Sequence, residues 1–105
     1  INEAISDMFG SSVDNNWTIG EGSTTSILRD MSNPPSYSQP DRMFSGYYSC
    51  SSSDNGGVHV NSGVANKAYY LMVSGGNFNN CNVSGIGRTN ANYIQSAHSI
   101  SHSKC

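Results

Sequence analysis

The segment Asp54–Gly76 reads DNGGVHVNSGVANKAYYLMVSGG, and the order of its residue types decides the fold class. Asp54-Asn55-Gly56-Gly57 predicts a turn, because Asn and Asp tolerate left-handed backbone and glycine adopts positive φ without steric cost. His59 follows, between the β-branched Val58 and Val60. Asn61 or Ser62 is placed to cap a helix, since a short side-chain oxygen accepts from the free N–H groups of a first turn. Val64, Ala68, Leu71 and Met72 then fall at i, i+4, i+7 and i+8, one apolar stripe, and Gly75-Gly76 supplies the stop. The spacing predicts a buried helix with a histidine just before it. Asp54, five positions upstream of His59, can hold that imidazole in one tautomer and bias it toward its protonated form. On the residues alone, the alternative is a histidine that merely hydrogen-bonds near a helix start.

Around this segment the chain is polar but sparsely charged. Its 105 residues suffice for one domain with a modest core, and only 11% are charged, with Ser, Asn and Gly filling the polar positions. A net charge of −2 with five basic residues argues against a nucleic-acid partner, which requires a basic patch. No apolar run is long enough to span a membrane. The chain opens on Ile rather than Met and shows no leader. Cys50 and Cys81 flank the predicted helix in Ser/Asn-rich loops, which favours a Cys50–Cys81 disulfide, leaves Cys105 as the odd thiol and implies an oxidising compartment. Structural zinc is the competing use of cysteine, but no C-x-x-C pair is present. Asn16-Trp17-Thr18 and Asn82-Val83-Ser84 fit the glycosylation pattern. These features lean toward secretion.

Residues 1–13, INEAISDMFGSSV, predict a helix that buries Ile1, Ile5, Met8 and Phe9 and carries Glu3 and Asp7 together on the opposite face. Such a carboxylate pair suits a metal or acid/base site, or else a solvated acidic face near a helix N-terminus. Trp17 and Ile19 are the apolar anchors of the polar loop 14–26. Pro34-Pro35 excludes a helix there, and Tyr37, Met43, Phe44 and Tyr48 are expected to pin the long loop by packing. Phe78, Val83 and Ile86 are expected to point inward.

Taken together, D-N-G-G-V-H-V-N-S-G at Asp54–Gly63 and N-E-A-I-S-D at Asn2–Asp7 resemble thermolysin-like zinc endopeptidases. The resemblance implies that His59, oriented by Asp54, stabilises the oxyanion of a tetrahedral intermediate. It also implies that Glu3 is a zinc ligand and that Asp7 orients a zinc-binding histidine, a pairing that metal-bound histidines commonly make. Ile27-Leu28-Arg29-Asp30-Met31 is similar to the family's S-L-R-x-M segment, which makes Leu28, with Ile19, a wall of the pocket for the residue after the cut. Arg29 would bind the substrate's backbone carbonyl, a role suited to its planar fork; a salt bridge to Asp30 or another acid is the plainer reading. Loop 14–26 corresponds to a calcium-binding region, but it keeps only Glu21 and Asp14, with Asn16, Thr18 and Gly22 where more acids stand in the family. Calcium needs six to eight oxygens, so at most a reduced site is implied. Gly85-Ile86-Gly87-Arg88 resembles a turn that precedes a further helix.

The fold implied is mainly α: a partial thermolysin-like C-terminal helical domain with long irregular loops, over residues 1–93. Residues 94–105 form a divergent and poorly ordered tail, in which His98 and His102 lie at metal-capable i, i+4 spacing near Cys105. The family's H-E-x-x-H helix, which brings two zinc ligands and the general base, does not occur in the sequence. The chain is therefore expected to be the C-terminal part of a secreted zinc metalloendopeptidase that acts on protein or peptide substrates. Its metal site would be completed by the remainder of the peptidase, and the chain would be inactive alone. A non-catalytic fragment or pseudoenzyme serving as a structural or binding module is the alternative.

Overall fold

In the computed structural model, residues 2–22 and 26–97 are described. The first helix, α1 (Asn2–Asp14), buries Ala4, Asp7, Met8 and Ser11. These lie at i, i+3, i+4 and i+7, so the inward face keeps Met8 as expected but is rotated to include Asp7, which was expected on the opposite side. Phe9 is exposed and Ile5 only half-buried, while Ile1 lies outside the described residues. The rotation has a physical cause. Ala4 and Ser11 are small enough for close helix approach, and Asp7 is held inside by donors from two other elements.

A two-residue ladder follows, β1 (Thr18–Ile19) against β2 (Arg29–Asp30), antiparallel with Ile19 opposite Arg29. Bonds from Leu28 N to Ile19 O and from Met31 N to Trp17 O, both 2.8 Å, extend it at each end. Met31 enters the core while Arg29 turns toward α1. Pro34-Pro35, expected to exclude a helix, instead opens a 3-10 turn, Pro34–Tyr37, with proline at its first positions. There a missing N–H costs nothing, because first-turn donors have no partner within the helix. Phe44, expected to pack, is 86% exposed.

The predicted turn is present. A second 3-10 turn, Ser52–Asp54, runs into Asn55, Gly56 and Gly57 at φ 47°, 83° and 84°. Gly57 is required twice over: its φ is left-handed, and a Cβ there would lie 2.5 Å from Ser49 O and 2.6 Å from Asn61 Nδ2. The second helix, α2 (Ser62–Ser74), begins where predicted, but Asn61 does not cap it with its side chain. The Asn61 amide accepts from Ser49 N at 2.9 Å and donates to Ser49 O and Gly56 O at 2.6 and 3.1 Å, tying the turn to the preceding loop.

The buried side of α2 is Ala65, Asn66, Tyr69 and Leu71, rather than a stripe through Val64 and Ala68; Val64 is half-buried and Ala68 exposed. Gly75, at φ 70°, ends the helix with its N–H on Leu71 O. A hairpin of β3 (Gly76–Phe78) and β4 (Cys81–Val83) turns through Asn79 and Asn80, both at positive φ, as a tight two-residue hairpin requires. Ile86 proves exposed at 41%. The third helix, α3 (Arg88–Ala97), seats Ala91 in the core and bonds through Asn92 to Tyr69 and Ser12.

The core is Ala4, Met8, Met31, Ala65, Tyr69 and Ala91, edged by Trp17, Ile19, Met72 and Val73. Trp17 meets Tyr69 and Tyr70 edge-on, and Arg88 lies 4.1 Å from its ring centre. The Cys50–Cys81 bridge is not formed: Cys81 is a free, exposed thiol. Cys50 is already disulfide-bonded, which leaves Cys81 rather than Cys105 as the odd thiol. His98, His102 and Cys105 lie outside the described residues.

Candidate active site

Four segments distant in sequence meet at the N-terminal ends of α1 and α2. Asp54 closes its 3-10 turn and uses both carboxylate oxygens on one residue: Oδ2 accepts from the His59 backbone N–H at 3.1 Å, and Oδ1 lies 2.6 Å from His59 Nδ1. The His59 carbonyl accepts from Gln39 Nε2 at 2.9 Å and Ser62 Oγ at 2.7 Å. Backbone and ring are thus both held, yet the side chain is 60% exposed. Its other nitrogen, Nε2, is 3.5 Å from Glu3 Oε1 in the first turn of α1. The hydrogen bond to Asp54, and then the field of Glu3, raise the His59 pKa above 6.5. The same bond holds the Asp54 carboxyl below its ordinary value.

Beside this group Asp7 is buried at 3% exposure. Its carboxylate receives the Arg29 fork, Nε on Oδ2 at 2.8 Å and Nη2 on Oδ1 at 2.7 Å, and a third donor, Asn66 Nδ2, on Oδ2 at 2.8 Å. The Asp7 bonds raise the Arg29 pKa further against the opposing effect of burial. Of the two acids open to Arg29, the more distant one in sequence is taken. Asp30 instead accepts from Ser32 N and Oγ and from Asn33 N, organising the turn after β2. Leu28, next to Arg29, is 55% exposed, and its N–H bonds Ile19 O. The structure therefore gathers Glu3, Asp54 and His59 into one cluster and Asp7 with Arg29 into a second. Ile19 and Leu28 flank Arg29 on the ladder.

A family profile described as the thermolysin metallopeptidase alpha-helical domain matches residues 1–100. The chain belongs to that family. It is 43% identical to the bacillolysin of Brevibacillus brevis over 97% of its own length, and 46% identical to the bacillolysin of Bacillus cereus over 84%. It is 44% identical to the thermolysin of Alicyclobacillus acidocaldarius, again over 84%. The shares of those relatives that it covers are 20%, 17% and 18%, so the chain spans about a fifth of the curated relatives it matches.

For a member of a metallopeptidase family the metal ligands matter most. Among the described residues no three His, Cys, Asp or Glu side chains converge to hold a metal. A catalytic zinc takes three protein ligands, so the described residues do not fit the group by themselves. In loop 14–26 the Glu21 carboxylate accepts from Asn16 Nδ2 and Thr18 Oγ1, while Asp14 is exposed. A cavity of about 130 Å³ between α1, the glycine turn and α2 is lined by Ala4, Gly57, Val58, Ser62 and Ala65 among others, but not by Glu3, Asp7, Arg29, Asp54 or His59. His59 and Glu3 stand at the surface, with side chains 60% and 38% exposed. No helix among the described residues is long and apolar enough to cross a membrane.

Asn66, Gln39, Asn61 and Ser62 hold this site together and were not anticipated in those roles. The N-S-G of Asn61–Gly63 could be read only as a helix start. An Asn in mid-helix at position 66 gives no sign that it will face a carboxylate from another helix.

Proposed function

We propose that the chain is part of a secreted zinc metalloendopeptidase that hydrolyses peptide bonds in proteins, with the other metal ligands and the general base lying outside these residues. One observation carries the reading. Glu3 and the Asp54–His59 pair, far apart in sequence, face each other across 3.5 Å, in a chain of the thermolysin metallopeptidase family. Glu3 is the metal ligand of this chain, and Asp7 supports a metal-binding histidine of the longer protein. The metal, when bound, supplies Lewis acidity toward a scissile carbonyl and its attacking water. His59 keeps a proton on Nε2 and donates it to the oxygen on which charge develops. Asp54 fixes the tautomer through Nδ1 and favours the charged ring, so the donor is set before the reaction and needs no reorganisation. Arg29, gripped through Nε and Nη2, offers Nη1 to a peptide carbonyl. The exposed Leu28, with Ile19, receives the side chain after the cut.

The test is His59→Ala in the longer protein that carries this chain. If His59 acts mainly in the transition state, kcat and kcat/KM fall together by about 10² to 10³ with zinc content unchanged. Asp54→Ala acts the same way more mildly. Normal turnover in His59→Ala, with only a lower melting temperature, would overturn the assignment and favour a structural or binding module.

A further inference from the structure

We infer that Asn66 is a positioning residue for substrate binding, acting through Asp7 on Arg29; the inference rests on the proposed role of Arg29. Three observations meet here. First, Asn66 is 1% exposed on the inward face of α2, where an apolar side chain would be the stabilising choice. Second, its amide is poorly satisfied as a core group: Nδ2 is bonded, but Oδ1 has no hydrogen-bond partner among the described residues. The bond to Asp7 has to offset that unpaired acceptor, and a buried group so placed calls for an explanation beyond packing. Third, its one bond goes to the oxygen of Asp7 that also receives Arg29 Nε, at 2.8 Å in each case.

The geometry gives that bond a purpose. A carboxylate held only by the arginine fork can swing with the arginine as a unit, since both partners are side chains on rotatable stems. A third donor from the rigid α2 removes that freedom. Asp7 then becomes a fixed anchor, and the two N–H···O bonds of the fork fix the plane of the guanidinium in turn. The nitrogen not engaged with Asp7 therefore has a set direction, and misplacing a binding group by about 1 Å can cost on the order of 10² in rate.

The experiment measures kcat and KM on an internally quenched peptide, per folded and zinc-loaded molecule, for Asn66→Ala, Arg29→Ala and the double variant of the longer protein. Asn66→Ala is expected to lower kcat/KM by about 10- to 100-fold, up to the loss that misplacing a group by about 1 Å causes. It should act mainly through KM, and counting only zinc-loaded molecules separates this from any zinc lost through the histidine that Asp7 supports. Because the effect passes through Arg29, the double variant should lie within about twofold of Arg29→Ala alone. Losses that multiply in the double variant, or an Asn66→Ala protein with unaltered kcat/KM and only a lower melting temperature, would overturn the inference while leaving the role of Arg29 intact. An Arg29→Ala protein with unchanged constants would overturn both. Asn66→Leu, similar in size and without a donor, provides the same measurement where the alanine variant leaves too little folded protein.

Discussion

Replacing Asp7 with alanine should be the most damaging single change within the described residues. Asp7 is 3% exposed and accepts three bonds of 2.7 to 2.8 Å, two of them from a guanidinium. Hydrogen bonds to a charged group contribute about 1.5 to 3 kcal/mol each, and removing one partner of a buried ion pair costs about 3 to 5 kcal/mol because the other charge is left uncompensated. The lower half of that range applies, because the Arg29 side chain is still 20% exposed and water can partly solvate it. A loss of about 3 to 4 kcal/mol is a large share of the stability of a small domain. At roughly 2 to 4 °C per kcal/mol in the longer protein, it lowers the melting temperature on the order of 10 °C. The surface pair Arg42–Asp41, at 3.1 Å with Arg42 half exposed, is the control, and Arg42→Ala should cost under about 1 kcal/mol. Urea and thermal unfolding of the protein carrying this chain measure both. An Asp7→Ala variant that loses no more than Arg42→Ala would refute the reasoning, because the carboxylate would then not be what holds Arg29 and α2 together.

Three other outcomes follow from the same coordinates. His59 should titrate above 6.5 by NMR in the metal-free protein and move down in Asp54→Asn, since the Asp54 bond is the largest cause of the raised value. Its stabilisation is complete below about pH 6.5 and lost as pH rises through the raised pKa, while that of Asp54 holds above about pH 4 and is lost as pH falls through its lowered pKa. A His59 titrating at 6.5 or below would contradict the geometry. Gly57→Ala should destabilise by about 2 to 4 kcal/mol through left-handed strain and the clash with Ser49 O, whereas Gly56→Ala, at similar φ in open space, should cost about 1 kcal/mol; equal effects in denaturant melts would show that the close approach is absent. Cys81 should react with a thiol reagent in unreduced native protein, given its exposure; peptide mapping that finds it protected would restore a disulfide there.

The elements governed by local chemistry were legible in the sequence. The Asp54–Gly57 turn depends on which residues tolerate positive φ, and the end of α2 depends on Gly75; both are properties of a few consecutive residues. The proximity of Asp54 to His59 is equally local, since five residues of tight turn leave little other geometry open. Periodicity placed Met8 and Leu71 inside, where they are buried, but the rest of each inward face was decided by tertiary structure. Apolar periodicity placed Phe9 and Ala68 inside, but the helices approach each other through Ala4, Ser11 and Ala65, and a paired carboxylate proved buried where a methyl-rich side chain was expected. Partner choice was decided in the same way. Arg29 had an acid beside it in Asp30, and the fold brought it Asp7 from 22 residues upstream; Cys50 is disulfide-bonded, but Cys81 is left free. Local preferences act over a few bonds and can be read from residue order, whereas burial and pairing depend on which surfaces meet, and a chain whose interior is small and partly polar leaves that choice to the assembled fold.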